Sequence, residues 1–174
     1  MMNSQTTAMK LVLALFCVLA LTACSKKNTA NLDAGLGAGG SGLSGSEAQV
    51  PGSAADFSTN VGDRVYFAND QSNLTEEARD TLAKQAAWLQ QYPEVAVQIE
   101  GHADERGTRE YNISLSARRA TATRNFLISQ GISAERISSI AYGKERPAAF
   151  CDAEECWSQN RRAVTVITSG ARTS

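Results

Sequence analysis

The sequence predicts an α/β fold in which strands and helices follow one another as β-α-β-α-β-(loop)-β, behind a long segment that takes no part in it. Three observations carry this. Short runs rich in Val, Ile and aromatic residues alternate with two capped, amphipathic stretches. A Gly-, Ser- and Ala-rich stretch with no sustained period comes before them. An apolar run with small residues and a cysteine at its end opens the chain of 174 residues.

Each element has its own signal. "DRVYFAN" (63–69) has the β-branched and aromatic content of a strand. Thr75 is a candidate N-cap, with Glu76 and Glu77 in the first turn where the helix dipole favours acids. Leu74, Ala78, Leu82, Gln85 with Ala86, and Leu89 then recur at helical spacing until Pro93 stops the helix. "EVAVQIEG" (94–101) alternates Val95, Val97 and Ile99 against Ala96, Gln98 and Glu100, the pattern of a half-buried strand. A second helix runs from about Glu110 to Gln130, with Gly131 at a plausible C′ position. "RISSIAYG" (136–143) reads as a third strand, and "RAVTVITS" (162–169) as a fourth with Val164, Val166 and Thr168 on one face. The connection between them reads as a loop carrying Cys151 and Cys156.

The N-terminal part predicts export. Lys10 precedes the apolar run Leu11–Leu21, too short to span a bilayer comfortably and of signal-peptide length. It ends in "LTAC", and small residues before Cys24 resemble a bacterial lipobox, where cleavage leaves a lipid-modified cysteine. The predicted organisation is a signal peptide over 1–23, a lipidated and flexible tether over 24–57, and a folded domain over 58–170. About 33 tether residues have an r.m.s. reach of about 30 Å and a taut limit near ~110 Å. Cys17 leaves with the signal, lipidation accounts for Cys24, and an oxidising compartment permits a Cys151–Cys156 disulfide. Closing so short a loop contributes about 2 kcal/mol in the chain-entropy picture. Zinc is the rival use of the pair, but two cysteines and one distant histidine do not fill a tetrahedral site.

Charge and motif content exclude several function classes. The formal net charge is −1, without the broad basic field that nucleic acid requires, and the arginines after residue 105 are interleaved with acids and lack a stacking platform. No His-Glu-x-x-His or Gly-x-Ser-x-Gly motif is present, and nothing singles out two of Glu100, Asp104 and Glu105 as a glycosidase pair. His102, the single histidine, reads as a structural residue.

The informative stretch is "GHADERGTREYNISLSARRA" (101–120). On a helical wheel Leu115, Ala122 and Phe126 mark the buried arc, while Arg118, Thr121, Arg124 and Asn125 lie on the far side. Arg119 falls on the buried arc, with Asn112 close to the same line. A guanidinium there either snorkels past the helix edge or is satisfied from inside. Asp104 follows the strand that feeds this helix, where α/β folds place ligands. The two residues either form a simple salt bridge or stay apart and offer one anion and one cation. The second arrangement complements a free α-amino-acid head group, with Asn112 adding amide hydrogen bonds.

The same stretch resembles the signature of the OmpA-like peptidoglycan-binding domain family. It has the family's Asp104, Gly107, Asn112, Leu115, Ser116, Arg119 and Ala120 at matching spacing, and the likeness continues through "GISAERISSIAYGKERP" and "NRRAVTV". The resemblance covers about Gly62 to Thr168. It implies a βαβαββ mixed sheet with helices on one face, and non-covalent binding of the peptidoglycan stem peptide through its meso-diaminopimelate. In the family the positions of Asp104 and Arg119 hold that zwitterion, those of Asn112 and Leu115 line the site, and the loop after the first strand adds those of Phe67 and Asp70. The sequence departs at Asn69, where many relatives carry an aromatic or other apolar residue. The resemblance further implies an outer-membrane lipoprotein facing the periplasm, partnered with TolB and the Tol system, with no cofactor and no enzymatic activity. Ser25 after the lipidated cysteine fits outer-membrane sorting. A wall-remodelling enzyme and a motor-stator relative are the competing readings. The first lacks an identifiable nucleophile or metal cluster, and the second requires a retained transmembrane helix.

Overall fold

Alternation along Ala96–Gly101 turns Val97 and Ile99 to one side and Gln98 and Glu100 to the other, and the sheet is built around this strand. The structure is a computed structural model and describes residues 50–173. The expected signal peptide, Cys24 and nearly all of the tether lie outside the described residues.

The strands are β1 (Arg64–Tyr66), β2 (Ala96–Gly101), β3 (Ile137–Ala141) and β4 (Arg162–Ser169). They lie in the order β1-β4-β2-β3, with β2 and β3 parallel and β4 antiparallel to both β1 and β2. The expected mixed four-stranded sheet is the one observed. Val65, Val97, Ile99 and Ala163 meet Ala78, Leu82, Ala86, Leu89, Ala120 and Leu127 of the two long helices in a single core. Val164, Val166 and Thr168 do share a face of β4, and it is the open one; Ala163 and Thr165 point inward.

The helices are α1 (Ala54–Asp56), α2 (Glu76–Gln91), α3 (Arg109–Ser129) and α4 (Glu154–Asn160). Thr75 caps α2 as its sequence predicts, accepting from the Ala78 N–H at 3.1 Å, and Thr108 caps α3 through the Tyr111 N–H at 3.2 Å. Gly131, at φ 93°, ends α3 with its N–H on Ile128 at 2.9 Å, while the Ile132 N–H reaches Leu127 at 3.1 Å. Gln85, on the predicted buried arc of α2, is fully buried. It donates to the Gly62 carbonyl and accepts from Thr165 Oγ1, both at 2.7 Å.

Three features differ from expectation. The stretch read as the end of a linker contains α1 and Phe57, the first residue of a helical turn over Phe57–Gly62, and Phe57 packs edge-on against Trp88 in the core. The last connection, read as a loop, contains α4. The buried arc of α3 is turned from its predicted centre. Asn112, Leu115, Ser116, Arg119, Ala120, Thr123 and Leu127 face inward, whereas Ala122 and Phe126 are half-buried. Arg124 is not a free solvent residue either, since its guanidinium donates to the carbonyls of Ile137 at 3.0 Å and Ala134 at 3.3 Å.

Candidate functional site

The C-terminal ends of β1 and β2 and the start of the antiparallel β4 lie at one end of the sheet, and the loops leaving them meet the first turns of α3. This junction holds a cavity of about 340 Å³ lined by Asn69, Asp70, Asp104, Arg106, Gly107, Tyr111, Asn112, Leu115 and Arg119. An open end of an α/β sheet with convergent polar groups is where ligands bind.

Arg119 forms the floor. It is 0% exposed, and the reading of an arginine satisfied from inside holds. Its partners are not carboxylates but backbone carbonyls. Nε donates to Gln71 at 2.8 Å, Nη1 to His102 at 2.8 Å and Nη2 to Ala68 at 3.3 Å, and the plane lies 5.2 Å from the Phe67 ring. Five N–H donors serve three carbonyls, so each terminal nitrogen keeps one donor. Burial pushes its pKa down to about 10, against the pull of Asp104. Arg119 thus ties the β1 loop to the end of β2 while placing a positive charge under the cavity. Phe67 is buried behind it.

Asp104 is not paired with Arg119. Its Oδ2 accepts from Arg106 Nη2 at 2.6 Å and from Arg161 Nη1 at 3.5 Å, and its Oδ1 accepts from the Arg106 backbone N–H at 3.2 Å. Burial alone would raise this carboxyl; the Arg106 contacts, with help from Arg161, hold it below the ordinary range. Arg106 also donates from Nη2 to Asn69 Oδ1 at 2.8 Å, so the departing Asn69 lies within the site. Its side chain is 38% exposed, and among the described residues Nη1 has no protein partner. Arg106 is therefore the cation that a ligand reaches first.

The remaining residues shape the rim. Asp70 adopts a left-handed φ of 57°, which Asp tolerates, and its carboxylate accepts from the Tyr111 hydroxyl. Asn112 is buried and donates to the Arg106 carbonyl at 2.8 Å, fixing the turn through Gly107, whose φ of 87° favours glycine. Lys144 clamps the same turn from outside through the carbonyls of Glu105 at 3.1 Å and Gly107 at 2.8 Å. Leu115 supplies an apolar wall.

All of the site residues singled out in the sequence, Phe67, Asp70, Asp104, Asn112, Leu115 and Arg119, meet within this junction. Sequence reasoning missed Arg106, Arg161 and Trp157. The two arginines were visible in "DERG" and "NRRA", but loops carry no period that assigns a direction to a side chain. His102 is 2% exposed, with Nε2 3.6 Å from Glu100, away from the cavity. Cys151 and Cys156 form the predicted disulfide. No cluster of three or more potential metal ligands occurs among the described residues.

What the arrangement can do is bind a small zwitterion. The acids Asp70 and Asp104 stand beside the cations Arg106 and Arg119 around one cavity.

Known proteins share this sequence and fold. The model of the OmpA family matches residues 66–161. The peptidoglycan-associated lipoprotein of Mesorhizobium japonicum is 54% identical over 160 residues, covering 92% of each chain. That of Brucella melitensis biotype 1 is 54% identical over 165 residues, covering 93% of this chain and 94% of its own. Among solved structures, the peptidoglycan-associated lipoprotein from Burkholderia pseudomallei aligns with a TM-score of 0.59 at 36% identity, covering 61% of this chain and 90% of that one. The C-terminal domain of Helicobacter pylori MotB, 23% identical with a TM-score of 0.58, shares the fold. With its domain matched by the family model and relatives more than half identical along almost its whole length, the chain belongs to the OmpA family.

Proposed function

We propose that this chain is an outer-membrane lipoprotein, acylated on Cys24, whose domain faces the periplasm and grips peptidoglycan without covalent chemistry. The ligand is the meso-diaminopimelate of the stem peptide. The tether that begins at Cys24 lets the folded domain, which includes α1 and Phe57, reach the wall, and the protein works with TolB and the Tol system in envelope integrity and cell division. It is not an enzyme.

One observation carries the reading: two carboxylates and two guanidiniums line a single cavity of about 340 Å³. The free end of meso-diaminopimelate presents an ammonium and a carboxylate on one carbon. Asp70 and Asp104 suit the first; Arg106, above the buried charge of Arg119, suits the second. The relatives are named peptidoglycan-associated lipoproteins, which supports peptidoglycan as the partner and a lipid on the chain. Acyl chains on Cys24 contribute about 0.8 kcal/mol per buried CH₂. A modest single-site affinity suffices where many copies meet one polymer sheet.

The test is co-sedimentation of the full-length protein, in detergent, with diaminopimelate-containing sacculi. Free meso-diaminopimelate should compete. Asp104→Asn should weaken retention roughly tenfold or more, the cost of losing a charged hydrogen bond, with an unchanged circular dichroism spectrum. Wild-type-like retention of that variant, or indifference to the competitor, overturns the site. Soluble wall fragments released during incubation would make the protein an enzyme instead. Mass spectrometry of the mature N-terminus tests the anchor, and an unmodified Met1 refutes it.

A further inference from the structure

The segment closed by the Cys151–Cys156 disulfide lies against the site, and nothing in the proposed function uses it. α4 begins inside this loop and sets Trp157 and, just past its end, Arg161 against Arg106 and Asp104 of the cavity wall. Trp157 lies under Arg106, with the guanidinium carbon 4.2 Å from the ring centroid, and its indole N–H donates to Glu105 Oε1. Arg161 donates from Nε to the Phe67 carbonyl at 3.1 Å and from Nη1 to Asp104 at 3.5 Å, and it pairs with Glu154 through Nη2. Asn160, fully buried, holds the loop's other limb by accepting from the N–H groups of Ala148 at 2.7 Å and Ala149 at 3.1 Å and donating to the Ala149 carbonyl at 2.9 Å.

Arg106 shows why this support matters. Only its Nη2 is fixed by Asp104 and Asn69, and its side chain is more than one-third exposed. A long side chain held at one nitrogen can still swing about that contact. The Trp157 ring under the guanidinium limits that swing and keeps the Arg106 charge at the cavity. Trp157 is held in turn by Glu105 and by its neighbour Cys156, whose disulfide to Cys151 spans Cα atoms 5.6 Å apart.

We infer that Trp157 is a positioning residue for Arg106, and that the Cys151–Cys156 closure sets ligand affinity by fixing α4. The inference rests on the peptidoglycan reading of the site. Pre-ordering a rotamer-rich side chain lowers the cost of binding without adding a ligand contact.

The experiment measures binding of a meso-diaminopimelate-containing stem peptide to full-length variants in detergent. Trp157→Ala should weaken binding by about two- to fivefold, the value of one partly exposed cation–π contact. Trp157→Phe, which keeps a ring under the guanidinium, should restore most of it. The Cys151→Ser/Cys156→Ser double variant should weaken binding in the same direction. In an Arg106→Lys background, which keeps the charge and loses the plane, Trp157→Ala should have a smaller effect than in the wild type. Equal effects in both backgrounds, or unchanged binding by Trp157→Ala, overturn the inference. A wild-type protein that does not bind the peptide overturns the peptidoglycan reading instead.

Discussion

Arg106 and Arg119 line the same cavity and differ in everything that a substitution would measure. Arg119 spends its donors on the carbonyls of Ala68, Gln71 and His102, which belong to two separate loops. Removing it takes the Arg119 donor from the Gln71 and His102 carbonyls, while Ala68 keeps the Gln71 N–H, so Arg119→Met should cost about 3 kcal/mol of stability. The check is a urea midpoint that falls by roughly 1 M or more, at ordinary slopes for a small domain. Arg106→Gln should lower stability by less than about 1 kcal/mol, since its ion pair is partly solvated, yet weaken wall retention. The reverse ranking would mean that Arg106 is structural and Arg119 dispensable to the fold. Arg119 was legible in the sequence because a helix has a period and a charge at the wrong angle stands out. Arg106 was not, because the turn Glu105–Gly107 has none. The identity of Arg119's partners was also hidden, since backbone carbonyls of distant loops leave no mark in residue types.

At the scale of elements, the site depends on how closely α3 lies on the end of β2. A Cβ placed on Gly101 would sit 2.0 Å from the Ser116 carbonyl oxygen and 3.2 Å from the Ala120 Cβ. The obstacle is helix backbone, which cannot rotate away. Gly101→Ala should therefore separate β2 from α3, costing about 3 kcal/mol, and weaken binding as well, because Asp104 follows β2 while Asn112 and Arg119 ride on α3. Gly131→Ala, at the far end of α3 with φ 93°, should cost about 1 kcal/mol and leave binding unchanged. Denaturation and co-sedimentation of the two variants side by side check this; equal binding losses would show that the close contact has no special bearing on the site. The sequence marked both glycines as element ends but could not tell the close approach from the cap. It also misplaced the buried arc of α3, for a related reason. Asn112, Ser116 and Arg119 are polar yet point inward, with bonds to Arg106, Ile113, Gln71 and others, so apolar residues alone point to the wrong centre.

For the whole molecule, the alternation of strands and helices, their caps and the mixed sheet were legible because each rests on local pattern; α1 and α4 were not, being too short to show a period. Global stability should carry the signature of one side chain that the site does not use. His102 is buried on the far side of β2, with Glu100 3.6 Å from Nε2 and the Tyr142 ring at 5.5 Å beneath Arg146. Burial first, and then the charges of Arg162 and Arg146, push its pKa down from 6.5 to about 4, outweighing the upward pull of the Arg146 backbone. The unfolded chain takes up a proton at about 6.5 that the folded chain refuses until about 4. Stability is therefore complete above the upper value and falls as the pH drops through this window. The limiting slope is about 1.4 kcal/mol per pH unit, so the wild type should lose about 2 kcal/mol between pH 7.5 and 5. Asp56, Asp104 and Glu154, whose carboxyls are held low by their partners, add their losses at more acid pH, where the unfolded carboxylates protonate. Urea midpoints measured across the range should fall for the wild type and stay level for His102→Gln down to about pH 5. A wild-type midpoint that does not change between pH 7.5 and 5 would mean that His102 accepts its proton in place, with Glu100 rather than burial controlling it.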